Sequence, residues 1–377
     1  MKPLIRDCGS YEKNPERIDT AFNGPLDLLE ISLPMNGKNY VSGSRQLWLK
    51  VQVSKRMVQK YLNAPVAILS SLGRQGTRAV TALVVAGIAL PQLGALFKPY
   101  VTEAVFALLC TAFLRVDTAA VRNYLRSPWL VLSATAWSSI ASPALFGATC
   151  YVLGTEARTP ELFLGLMLQG VAPPMMASPA LAALMGLDAT LVLVIMITST
   201  ALIPLTAPLF AWIFVGPALS IPPIMLAVKL FVILAGSGIA GIAVRRFVGI
   251  EAIERQKDAI DGLNVIILFV FVAALMENVA ARFLATPVTT LTFGVLAFAV
   301  FFAMLFLTVL VFFSRNRAHA VAIGFMVSQR NLGLMLAATS GALPDLTWLY
   351  FGLSQFPIYL SPQLLQPLAR RILRRAP

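Results

Sequence analysis

Ser328, Gln329, Arg330 and Asn331 stand in a row inside Ala318 to Gly341, a stretch otherwise apolar and long enough to cross a bilayer. Together they offer a guanidinium, two amides and a hydroxyl at membrane depth. That set suits the holding of an anion better than the making of bonds. A cation near the bilayer centre costs about 2.5 to 3.5 kcal/mol on insertion scales, so something must offset Arg330. Its side chain is too central to reach either interface by snorkelling. One reading is a permanent salt bridge, for which Glu103 and Glu277, both near helix ends, are the few acids on offer. The other is that Arg330 faces a small organic anion, whose carboxylate or sulfonate a planar guanidinium can grip with two bonds where a lysine cannot. Lys229, in IPPIMLAVKLFVILAG, is a second cation within a span. It either snorkels outward or joins the same site.

Other chemistries have little to build on. The single histidine, His319, lies beside Arg315 and Arg317, and the cysteines Cys8, Cys110 and Cys150 form no CxxC pair. Without a convergent set of titratable or metal-ligating groups, neither a metal centre nor an enzyme is expected, and no cofactor. A net charge of +13 would suit nucleic acid, but the basic residues fall between apolar runs, where they orient a membrane protein. With 58% hydrophobic residues, 12% charged and a mean hydropathy of +0.78, the chain reads as polytopic in a lipid bilayer, with no nucleic-acid partner.

The elements that must position these residues are spans of about 20 apolar residues each. Ten such runs occur, near 79–97, 100–115, 128–151, 160–184, 188–215, 221–244, 262–281, 288–313, 318–341 and 346–368. Loops rich in Lys and Arg alternate with loops that are not, which predicts both termini on the cytoplasmic side of the cell membrane. Residues 1–77 lack the apolar core of a signal peptide and read as a polar, basic cytoplasmic extension. Within it, Leu47 to Leu62 is either a surface-lying amphipathic segment or a plain flank, and Met57 is an alternative start.

Ten spans divide into 78–216 and 217–377, two sets of five that an odd count forces into opposite orientations, with the basic tail closing the second. The fourth span carries Pro173, Pro174 and Pro179, and the ninth carries the polar cluster followed by Gly333. Fourth and ninth are equivalent positions of the two halves. Proline removes an amide donor and clashes with the preceding turn, so the fourth helix should unwind near 173–179. Irregular backbone at that depth survives only where it is buried in protein or lines a cavity. The fold class is therefore an all-α membrane protein, ten transmembrane helices in two inverted five-helix repeats, with helices 4 and 9 discontinuous and their breaks facing each other. Ser178, Pro179, Ser328, Gln329, Arg330, Asn331 and Lys229 are the candidate substrate-binding residues; Pro173, Pro174 and Gly333 mark the breaks.

At these two helices the chain resembles the bile acid:sodium symporter family, within the wider bile/arsenite/riboflavin transporter superfamily. The family motif Pro-Gly-Gly-x-Ala-Ser-Asn is met by Pro173, Pro174, Met175, Met176, Ala177, Ser178 and Pro179, with both glycines and the Asn lost. A second motif, Glu-x-x-x-Gln-Asn-x-Gly-Leu, falls on Met326, Arg330, Asn331, Gly333 and Leu334. Asp188 followed by Pro204 and Pro208, and FLRVDTAAVRNYLRSP after the second span, also resemble family segments. The likeness covers roughly residues 78–370. It implies a panel of helices, a core and two crossing broken helices. It also implies two Na⁺ ions held by hard oxygen ligands. Here the positions that match those ligands are Pro179, Val192, Met196, Met326 and Arg330, with Ser138 in the third helix. The usual sodium sites are dismantled, although Thr198, Ser199 and Thr200 leave a shifted one open.

The expected function is secondary transport of an organic anion by alternating access. Coupling is open between uniport, exchange and proton coupling through Glu103 or Glu277. Efflux, as in the related arsenite and auxin carriers, fits the same plan, but no cysteine lies in either broken helix. A reading of another class is a receptor or scaffold built on a transporter fold, using the extension to reach a cytoplasmic partner.

Overall fold

In this computed structural model the described residues are 65–75, 82, 86–87, 89–114, 128–216, 219, 221–277, 279–314, 316–339 and 343–374. The segment 47–62 and Met57 lie outside them. Among the described residues, six helical stretches are long and apolar enough to cross a membrane. In the most apolar window of Pro223–Val248 only 17% of residues are buried. Side chains such as Phe231, 62% exposed, and Ile239, 68% exposed, point outward there. Apolar surface on that scale belongs against lipid.

The helices used below are α1 (residues 65–75), α2 (Pro91–Leu114), α3 (Pro128–Val152), α4 (Pro160–Val171), α5 (Ser178–Met185), α6 (Ala189–Val215), α7 (Pro223–Val248), α8 (Lys257–Met276), α9 (Pro287–Phe312), α10 (Arg317–Ser328), α11 (Leu332–Ala338) and α12 (Asp345–Arg374). No strand occurs among the described residues. Five of the helices, α2, α3, α4, α7 and α9, open on a proline, whose fixed φ suits the first turn and whose missing N–H is not needed there. Others are started by a side chain: Asp188 accepts from Leu191 N at 2.9 Å to cap α6, and Asn316 from His319 N at 3.1 Å to cap α10.

The divide between the first two spans differs from the sequence expectation at 97–100. The backbone leaves the helical region at Leu90 (φ −124°, ψ 66°), ahead of Pro91. It stays helical through a 3₁₀ turn at Lys98–Tyr100 into Val101. Proline disfavours the helical region for the residue before it, and Leu90 shows that effect ahead of Pro91 whereas Lys98, ahead of Pro99, stays helical. Pro99 instead occupies the first turn of the 3₁₀ segment, where a proline is tolerated.

The two interrupted helices form the inner layer. Every residue from Leu162 to Val171 in α4 and from Leu332 to Ala338 in α11 is buried, as is α10 from Ala322 onward. Helices apolar all round belong in a core rather than at its edge. Small residues let their neighbours approach closely. A Cβ on Gly324 of α10 would come within 2.9 Å of the Leu305 carbonyl of α9.

Candidate functional site

α4 stops at Val171 because two prolines follow. Ala172 is extended (φ −60°, ψ 145°), the conformation favoured before a proline. The chain re-enters a helix at Ser178, with Pro179 in the first turn of α5. On the other side α10 ends at Ser328, Gln329 leaves the helical region (φ −85°, ψ 86°), and Asn331 starts α11 by accepting from Leu334 N at 3.1 Å. Both breaks therefore expose backbone groups that lipid cannot satisfy, and they satisfy each other. Met175 N donates to Gln329 O at 2.7 Å, and Asn331 N donates to Pro173 O at 2.8 Å. Pro174 and Arg330 form an isolated antiparallel bridge at this point, where the two broken helices meet.

The side chains of the polar cluster complete the same accounting. In α3 a π turn runs from Trp137 to Ala141, and Ser142 N donates to Trp137 O across it. The next donor in that register, to Ser138 O, would be residue 143, which is proline. Arg330 supplies what Pro143 cannot: its Nη1 donates to Ser138 O at 3.2 Å and to Ala172 O at 2.7 Å, while Nη2 donates to Ser142 Oγ at 2.6 Å. Gln329 does the same service in α12. There Pro362 leaves Ile358 O without its helical donor, and Gln329 Nε2 donates to that carbonyl at 3.2 Å and also to Ser361 Oγ. Two members of the polar cluster, Gln329 and Arg330, thus donate to carbonyls whose helical donor is replaced by a proline.

Arg330 is 2% exposed, and among the described residues no carboxylate pairs with it. Glu277 pairs instead with Lys98 at 2.8 Å, and Glu103 is exposed. The salt-bridge reading of Arg330 is not met, and its charge stands unbalanced at the meeting point of the breaks. Ser178 and Gln329 are fully buried there, with Ser178 Oγ, Gln329 Oε1 and Arg330 Nε carrying no hydrogen bond. Pro179 is half-buried. Ser328 is buried but turns its hydroxyl back to Phe325 O at 2.8 Å, and Asn331 Oδ1 is used as a cap. Gly333 is needed for close approach, since a Cβ there would lie 2.9 Å from Phe271 Cζ in α8 and 3.2 Å from Val105 Cγ2 in α2. Lys229 sits half-buried on α7, outside both breaks.

Val192, Met196 and Met326 are buried apolar side chains without an oxygen to offer, and Pro179 has none either. Ser138 alone keeps a hydroxyl, and its carbonyl is taken by Arg330. In the stretch that left a shifted site open, Thr198 shares a 2.7 Å hydrogen bond with Thr135, whereas Ser199 Oγ and Thr200 Oγ1, like Ser138 Oγ, are buried without a hydrogen bond. Apart from Ser138, the positions that match the family's sodium ligands offer no side-chain oxygen.

Sequence reasoning missed Ser142 and Ser361 and every backbone acceptor. The signal for the first was present in WSSIASP, which sets Ser138 and Ser142 one turn apart just before Pro143. The model of the sodium bile acid symporter family matches residues 102–286. That region includes the first break but not the second, which lies beyond it. No curated protein matches the chain.

Proposed function

We propose that this chain, which belongs to the sodium bile acid symporter family, is a secondary transporter of a small organic anion that works by alternating access across the cytoplasmic membrane. The observation that carries the reading is the buried guanidinium of Arg330, unbalanced by any described carboxylate, where two broken helices meet. A positive charge kept at membrane depth favours an anion. The unbonded donors left to face it are Arg330 Nε and Ser178 Oγ at the start of α5. In this reading ten spans form two inverted repeats, residues 78–216 and 217–377, and the termini are cytoplasmic. Residues 1–77 are a cytoplasmic extension, and deletion of residues 1–56 is nearly neutral for transport. The uniport or exchange modes suit a site in which Val192, Met196 and Met326 stand at sodium-ligand positions.

The test is a thermal-shift screen of carboxylates and sulfonates on the purified full chain and on Arg330→Gln. The reading expects an anion that raises the melting temperature of the wild type and does little for the variant. It further expects that anion to exchange across proteoliposomes. A ligand that stabilised both proteins equally would remove Arg330 from the site, and binding without exchange would favour a receptor.

A further inference from the structure

The oxygens that converge on Arg330 make a seat for a cation rather than a frame for a salt bridge. Two are backbone carbonyls, Ser138 O and Ala172 O, and the third is Ser142 Oγ, at 3.2, 2.7 and 2.6 Å. None carries a formal charge. Two helix C-termini also end here, α4 at Val171 and α10 at Ser328, and each presents the negative end of its dipole. Ser138 O cannot be satisfied within its own π register because residue 143 is proline. A donor from outside α3 is therefore required, and Arg330 brings a charged one, while the positions that resemble sodium ligands are filled by Val192, Met196 and Met326.

We infer that Arg330 is a tethered cation: its guanidinium occupies the oxygen-lined seat between the breaks permanently, so that the transport cycle takes up no free sodium ion there. A charge fixed to α10–α11 by a covalent side chain moves with the helices and never dissociates, so it cannot draw on an ion gradient. This rests on the transporter reading only for its consequence for coupling. The seat itself is a matter of stability.

The experiment measures melting of the full-length protein in lipid nanodiscs at constant ionic strength, in sodium chloride and in choline chloride, with and without millimolar guanidinium. The wild type is expected to melt at the same temperature in sodium and choline and to gain nothing from guanidinium. Arg330→Ala, which empties the seat, is expected to melt lower and to be raised by guanidinium. Arg330→Lys should melt above Arg330→Met, because an ammonium answers the carbonyls and a thioether does not. A purely packing role gives the opposite order, Met at or above Lys, and would overturn the inference. Sodium-specific stabilisation of the wild type would overturn it as well, as would an Arg330→Ala protein that guanidinium fails to raise. If Arg330→Ala does not fold, the wild-type salt comparison and the Lys and Met pair decide the matter. A wild type that binds an organic anion yet melts higher in sodium refutes the tethered cation and leaves the transporter reading standing. Rescue by guanidinium with no anion bound does the reverse.

Discussion

The pairing of Gln329 with a proline-orphaned carbonyl can be tested by a double-mutant cycle. Gln329 Nε2 donates to Ile358 O at 3.2 Å because Pro362 has no N–H to give it. Gln329→Leu removes the donor. Pro362→Ala restores one within α12, so that Ile358 O no longer depends on the glutamine. A buried neutral hydrogen bond contributes about 0.5 to 1.5 kcal/mol net, and interhelical bonds within membranes average about 0.6 kcal/mol. Ser361 Oγ also donates to Ile358 O, at 2.7 Å, so the carbonyl is never wholly orphaned and the lower part of the range applies. Gln329→Leu should therefore cost about 0.5 to 1 kcal/mol more in the wild-type background than in the Pro362→Ala background. The absolute cost of either single change is less informative, since leucine also relieves the unbonded Oε1 and alanine alters the bend of α12. Reversible unfolding of the four proteins in mixed detergent micelles gives the coupling directly. Strict additivity would refute the claim that Gln329 stands in for the missing proline amide.

Three further outcomes are expected. Gly352→Ala places a Cβ 3.0 Å from Leu275 O of α8, a backbone atom that cannot swing aside, and should destabilise by about 1 to 3 kcal/mol in the same unfolding assay. Trp137→Phe deletes the 2.9 Å bond from Nε1 to Thr308 Oγ1 between α3 and α9; it should cost about 1 kcal/mol, an effect absent once Thr308 is already valine. Lys98→Met and Glu277→Gln both break a 2.8 Å pair whose side chains are 43% and 21% exposed, so each should change stability by at most about 1 kcal/mol, less still in high salt, when melting is followed across a salt series.

Much of the site could be read from residue order. Three prolines within seven residues require a break in the fourth span, and SQRN with Gly333 marks the second break, because both signals depend on local backbone chemistry alone. The first span's end at Leu90 was misplaced for a related reason. Two prolines, Pro91 and Pro99, compete to end the helix, and local chemistry does not choose between them. What could not be read was the set of partners. Arg330 bonds to carbonyls of residues 138 and 172, and a carbonyl has no sequence signature. Asn331 looked like a ligand because caps and ligands use the same amide oxygen, and only the bond from Leu334 N assigns it. Lys229 shares a charge with Arg330 and lies half-buried on α7.

The central claim is transport of an organic anion at the meeting point of α4–α5 and α10–α11. The most direct measurement is counterflow of a radiolabelled anion, taken from the stability screen, into proteoliposomes holding the wild type or Arg330→Gln, in choline and in sodium buffers. The account expects wild-type exchange at equal rates in both buffers and its loss in the variant. Exchange that required sodium, or that survived Arg330→Gln unchanged, would contradict it.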